Sequence, residues 1–124
     1  MQIGKKIVNY INTSDNLNFN CLYICSKSNS YLKYSKDSLT YDKNSSILSL
    51  KLKSLLKRTN DFFIVNCFEY PIFDNDSNIA KSIIIIKIDS NRFAVYTNEI
   101  GFYNESDVNS FLEFSKGFRQ YIIR

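Results

Sequence analysis

The sequence predicts an α+β domain: an antiparallel sheet of about six strands, with helices at the N-terminus, in the middle and at the C-terminus. Three observations predict it. Residues 80–96 read as a hairpin whose first strand, through Ile83, Ile84, Ile85, Ile86 and Ile88, is apolar on both faces. Such a strand has to be covered on both sides and so lies inside a sheet. Further apolar or alternating runs of strand length lie on both sides of a leucine- and lysine-rich stretch. Segments near both ends carry apolar residues at helical spacing instead.

Ile3, Ile7, Val8 and Ile11 form a helical stripe, with Lys5, Lys6 and Asn9 between them, and the polar run 12–16 ends it. Leu17, Phe19, Cys21, Tyr23 and Cys25 then alternate with Asn18, Asn20, Leu22 and Ile24. The second half of that strand is apolar on both faces, so it runs inward from an exposed end. Two short, half-polar strands at 31–34 and 39–41 flank a turn at 35–38, and their tyrosines suit a sheet edge with one wet face.

Residues 42–58 admit two readings. Leu48, Leu50 and Leu52 alternate as in a strand, whereas Leu48, Leu52, Leu55 and Leu56 make a helical stripe with Ser45 or Ser46 as N-cap. The helix is preferred, because Leu and Lys are good helix formers and nothing after Ile47 is β-branched. It leaves Leu50 pointing away from the stripe.

Residues 61–73 read as a long strand, central on one or both faces, with Pro71 near its end or at an edge because it cannot donate to a ladder. With the 80–96 hairpin it completes an antiparallel meander. Asn104, Glu105 and Asp107 open the last helix, and Val108, Phe111, Leu112, Ser115, Phe118, Arg119 and Ile122 share one face. Gly117 marks an early end, which would leave 120–124 as a tail. Nothing divides residues 1–124 into more than one domain.

Composition excludes several function classes. There is no histidine, which removes Ser-His-Asp and Cys-His catalysis and histidine-ligated metal. Cys21, Cys25 and Cys67 are an odd set without a framework spacing, as in a reducing compartment, and fall short of a tetrahedral zinc set. Cys25 and Cys67 stand among large apolar residues, so both are expected to be buried and inert. The start of the chain is too polar for a signal peptide and the longest apolar run is too short to span a membrane, so a cytoplasmic protein is expected. The net charge of +4 permits an acidic partner without demanding one.

The remaining candidates are few. Residues 74–78 match the D-x-D-x-N opening of a calcium loop, but Ile79 stands where Gly is needed and Ile85 where the bidentate Glu is needed. Glu69 and Asp89 are the acids nearest a paired arrangement, and both are expected to be structural or solvent-facing. No catalytic residue, metal site or cofactor is therefore expected, and no enzyme activity.

Two features point to binding instead. Lys51, Lys53, Lys57 and Arg58 are the densest basic cluster, and on a helix Lys51, Ser54 and Arg58 would line one row while Lys53 and Lys57 line another. Tyr31, Tyr34 and Tyr41, with Tyr96 and Tyr103, make a tyrosine-rich chain, and tyrosine is enriched at binding surfaces. The expected function is a protein-binding inhibitor of the immunity type, which neutralises a toxin or enzyme by occlusion. The hairpin at 31–41 (Tyr31, Tyr34, Tyr41) and the basic face (Lys51, Lys53, Lys57, Arg58) would be its contact surface. Heavy use of Ile, Lys, Asn, Ser, Tyr and Phe, whose codons are mostly AT-rich, fits a small cargo gene. The element order also resembles, in topology alone, the small dimeric chaperones of type III secretion, which implies a homodimer holding an effector segment. Those proteins are usually acidic, and this one is not. A nucleic-acid-binding module using the 51–58 face is the third alternative.

Overall fold

The computed structural model describes residues 6, 9–13, 16–36, 40–43, 47–74 and 79–122. In chain order these form β1 (Cys21–Cys25), β2 (Ser30–Ser35), β3 (Thr40–Lys43), α1 (Leu50–Arg58), β4 (Phe62–Pro71), β5 (Ile79–Lys87), β6 (Phe93–Asn98), α2 (Glu105–Lys116) and α3 (Arg119–Ile122). Lys6 and residues 9–11 carry helical backbone as well, and Ile11 is buried. Ile3, Ile7 and Val8 of the expected stripe lie outside the described residues.

The six strands form one sheet in the order β3-β2-β1-β6-β5-β4, antiparallel throughout. Two three-stranded meanders thus meet where β1 pairs with β6, Tyr23 opposite Val95. The expected α+β architecture is what forms. The isoleucine run of β5 lies between β4 and β6, with Ile83 to Ile86 all buried.

Alternation divides the core between the two faces of the sheet. Tyr23, Cys25, Ile83, Ile85, Phe93 and Val95 pack with Leu52, Leu55 and Leu56 of α1. Leu22, Ile24, Ile84, Ile86, Ala94 and Tyr96 pack on the other side with Phe111 and Phe118. Each fully buried aliphatic or aromatic side chain contributes about 1.5–3 kcal/mol, so β5, β6 and β1, apolar on both faces, anchor both layers.

Three boundaries differ from expectation. α1 begins at Leu50 with Ser49 as N-cap, whose Oγ accepts the Leu52 N–H at 3.4 Å. The preceding Ile47 and Leu48 are instead held in isolated β-bridges to Asn29 and Phe73. Ser45 and Ser46 lie outside the described residues. Ser49→Ala should lower stability by about 1 kcal/mol in urea unfolding, whereas an uncapped start would leave it unchanged. Residues 120–122 are helical, within α3, rather than a tail. β4 is an edge strand, and much of it is only partly covered, because among the described residues its one neighbouring strand is β5.

Gly117, between α2 and α3, has an ordinary helical φ but no room for a side chain. A β-carbon there would overlap the Tyr10 ring. That ring stacks on Phe114 at 4.6 Å, and its hydroxyl donates to the Phe114 carbonyl at 2.6 Å. Gly117→Ala should therefore destabilise by about 1–3 kcal/mol through overpacking, seen as a lower urea midpoint. An unchanged midpoint would mean that Tyr10 moves aside freely.

Candidate functional site

The α1 sequence LKLKSLLKR carries four cations and no acid. Lys57 and Arg58 sit in its last turn, where positive charge complements the helix dipole. Lys51 and Lys53 lie nearer the positive end, where the same charge is mildly unfavourable. Helix stability therefore does not account for them.

The leucine stripe fixes where the cations face. With Leu52, Leu55 and Leu56 buried against the sheet, one helical row runs through Lys51, Ser54 and Arg58. Lys51 Nζ stands 5.4 Å from the Tyr70 ring centre, and Arg58 Cζ stands 5.8 Å from that of Phe63. Both rings belong to β4, so the row lies along the edge strand, antiparallel to it. Lys53, half-exposed, and Lys57, exposed, form a second row on the other flank of the leucine stripe, away from β4. Leu50, which the stripe leaves out, is 74% exposed, and Tyr70 is 49% exposed. An apolar pair beside a basic row thus faces outward where α1 begins and β4 ends.

The opposite face of the β4 edge is also basic at one end. A cleft of about 280 Å³ opens between the start of β4, the end of β5 and the α2–α3 corner. Phe62, Leu112, Lys116 and Arg119 are among its walls, with Asp61 as its carboxylate, and Lys116 also pairs with Glu113 at 3.6 Å. Arg119 Nε donates to the Ile88 carbonyl at 2.9 Å, which ties the corner to the sheet.

Beyond residue 66 the edge is irregular. The β4–β5 register shifts between Asn66 and Tyr70, and Cys67 and Glu69 take left-handed backbone with φ of 61° and 54°. This bulge turns Phe68 into the core beneath α1. Glu69 faces solvent and pairs with Lys81 at 3.3 Å, a surface ion pair of small energetic weight. Cys67 is exposed, contrary to expectation, because the bulge turns it out of the sheet. Cys25 is fully buried, and burial pushes its thiol well above the ordinary value. In native protein a thiol-reactive disulfide should label Cys67 within minutes and leave Cys25 unlabelled until unfolding. Equal protection of both would contradict the bulge geometry.

The anticipated site residues separate. Lys51, Lys53, Lys57 and Arg58 share one helix. Tyr34 does not join them: it is 1% exposed, and its hydroxyl donates to Asn12 Oδ1 at 2.7 Å. The reason is topological, since β2 lies between β1 and β3, so the face carrying Leu32 and Tyr34 is core. The backbones of Tyr31 and Tyr41 lie in β2 and β3, at the far side of the sheet from β4, and their side chains fall outside the described residues. Tyr96 and Tyr103 are likewise buried, the first sharing a hydrogen bond with Ser115 Oγ at 2.7 Å and the second donating to the Asn18 carbonyl at 2.8 Å. Tyr70 was not anticipated as a surface residue. Its signal lay in Pro71, which marks the edge of a sheet.

The other candidates resolve structurally. Asp89 accepts the Asn91 and Arg92 N–H groups at 2.8 Å and closes the β5–β6 turn. Residues 75–78 of the calcium-like run lie outside the described residues. Among the described residues no helix is long and apolar enough to cross a membrane. Comparison with protein-family models, curated proteins and solved structures yields no match.

Proposed function

We propose that this protein works by binding another protein at the α1–β4 face, and that it inhibits that partner by occlusion, in the manner of an immunity protein. The observation that carries the reading is the exposed pair Leu50 and Tyr70 beside the basic row of Lys51 and Arg58. Interfaces characteristically combine an aromatic or aliphatic anchor with a charged surround. The anchors here are Tyr70 and Leu50, and the charge selects an acidic partner surface. Lys53 and Lys57, on the other flank of α1, extend the basic surface away from β4.

Native capture of the tagged protein from its source cells, followed by assay of the captured partner, tests this. One stoichiometric protein is expected, with its activity suppressed in the complex. The variant Leu50→Glu, Lys51→Glu, Tyr70→Ala should lose at least about a hundredfold in affinity for it, the effect of two anchor-sized losses of about 1.4 kcal/mol each. Full partner activity in the complex would sink the inhibitory reading. Salt-labile nucleic acid in place of protein would transfer the basic row to phosphate binding. A homodimer that holds an unfolded effector segment would favour the chaperone-like alternative.

A further inference from the structure

We propose that residues 62–66 of β4 take up an extended acidic segment of the partner as a seventh strand. This rests on the protein-binding reading and specifies its mode: main-chain pairing at the sheet edge, with charge selecting the incoming segment.

Lys87 N–H donates to the Asp61 carbonyl at 2.9 Å, so position 61 is a hydrogen-bonded pair with β5. In an antiparallel ladder such pairs alternate, so 63 and 65 also bond to β5, opposite Ile85 and Ile83. The N–H and C=O groups of Phe62, Ile64 and Asn66 are therefore directed away from the sheet.

Sequence makes this edge unlike the other one. An edge strand is ordinarily blunted by shortness, charge, proline or a bulge. β3, at the far edge, has four residues, and its last two are Asp42 and Lys43. In β4 the protections are all at 67–71: the bulge, Glu69 and Pro71. Residues 62–66, Phe-Phe-Ile-Val-Asn, carry none of them.

Charge then identifies the occupant. Arg58 lies over Phe63 on the α1 face of the strand, the face to which alternation also assigns Lys87, and Lys116 and Arg119 line the cleft with Phe62 on the other, against Asp61 and the Glu113 carboxylate that pairs with Lys116 at 3.6 Å. A second copy of this chain is disfavoured. Antiparallel pairing about Ile64 would place the two α1 helices on the same face beside one axis, Arg58 near Arg58. An extended segment with carboxylates at alternate positions meets cations at the Phe62 end, while Glu69 and the bulge stop pairing beyond Asn66.

The test uses the ¹⁵N-labelled full chain and an acetylated, amidated seven-residue peptide alternating Glu and Val. Controls are the same peptide with Lys for Glu, and with Pro at its centre. Amide hydrogen exchange at Phe62 and Ile64 should slow by at least about tenfold with the Glu–Val peptide. Phe63 and Val65, already bonded to β5, should not change. The proline peptide should give no protection, because it breaks the added ladder. Arg58→Glu, a change at an exposed residue, should abolish the preference for Glu over Lys. No protection at Phe62 and Ile64 overturns the proposal even if a partner is captured through α1. Equal protection by the Lys peptide overturns the acidic occupant. Protection that rises with protein concentration in the absence of peptide assigns the edge to a second copy and overturns it too. Peptide protection with no captured partner supports the edge and counts against the α1 docking reading alone.

Discussion

Phe68→Ala is expected to lower stability by about 3–5 kcal/mol, a large share of the ~5–15 kcal/mol typical of a domain. Phe68 is 1% exposed and packs with the α1 leucines, with its ring edge-on to Tyr70 at 5.8 Å. More than transfer energy is at stake. Cys67 and Glu69 on either side hold left-handed backbone, which for L-residues costs roughly 1–2 kcal/mol each. The buried ring offsets that strain. Without it, residues 67–69 gain by leaving the bulge, and Tyr70 loses the backbone that presents it to Lys51. The variant should therefore unfold at lower urea and, under the proposed function, also bind any captured partner more weakly. Cys67→Gly supplies the opposite sign: glycine adopts positive φ without a β-carbon, and a gain of about 1 kcal/mol is expected. A loss below about 1 kcal/mol for Phe68→Ala would show that the bulge is held by something other than this ring.

The second large effect is alkaline unfolding. Burial raises the Cys25 thiol and the Tyr96 hydroxyl well above their ordinary values of 9.0 and 10.0. Burial raises Tyr103 as well, with a smaller push from the Asp107 carboxylate. All three are neutral when folded and ionise more readily when unfolded. A raised folded-state pKa contributes stability that is fully present below the unfolded value and is lost as pH climbs through the interval above it. The folding equilibrium should be insensitive to these groups up to about pH 8. It should weaken from about pH 9, as Cys25 of the unfolded chain ionises, and fall more steeply above pH 10. Each group contributes a factor of about ten per pH unit once its unfolded form is ionised, so the three together approach a thousandfold per unit. Urea titrations at stepped pH would measure this. Tyr96→Phe should reduce the slope above pH 10, although it also removes the hydrogen bond with Ser115. A flat profile to pH 11 would contradict the burial of these groups.

Particular residues decide which features of the fold are legible in the sequence. The four isoleucines of β5 could only be satisfied inside a sheet, and the leucine spacing of α1 already set Leu50 apart from the buried stripe. The basic row of Lys51, Ser54 and Arg58 followed from the same helical geometry. Tyr34 could not be assigned in that way. A half-polar strand with tyrosines reads the same at a wet edge and inside a sheet, and only the pairing of β2 with both β1 and β3 decides between them. Residues 61–73 had the converse difficulty: their apolar character suggested a strand central on one or both faces, but 62–71 form an edge strand whose Phe63 and Tyr70 rings lie beside α1.

The sequence by itself determined the α+β class, the order of elements, the double-sided core strand and the absence of histidine chemistry. These depend on periodicity and composition, which are local or global properties of the chain. The tertiary structure decided which strand is the edge, where Phe68 goes, that Cys67 is exposed, and that Lys51 and Arg58 lie along β4. Those depend on contacts between residues distant in sequence, and no local pattern specifies which strand lies beside which. Among the described residues strand order puts β4 at the edge of the sheet, and the candidate site exists because of that.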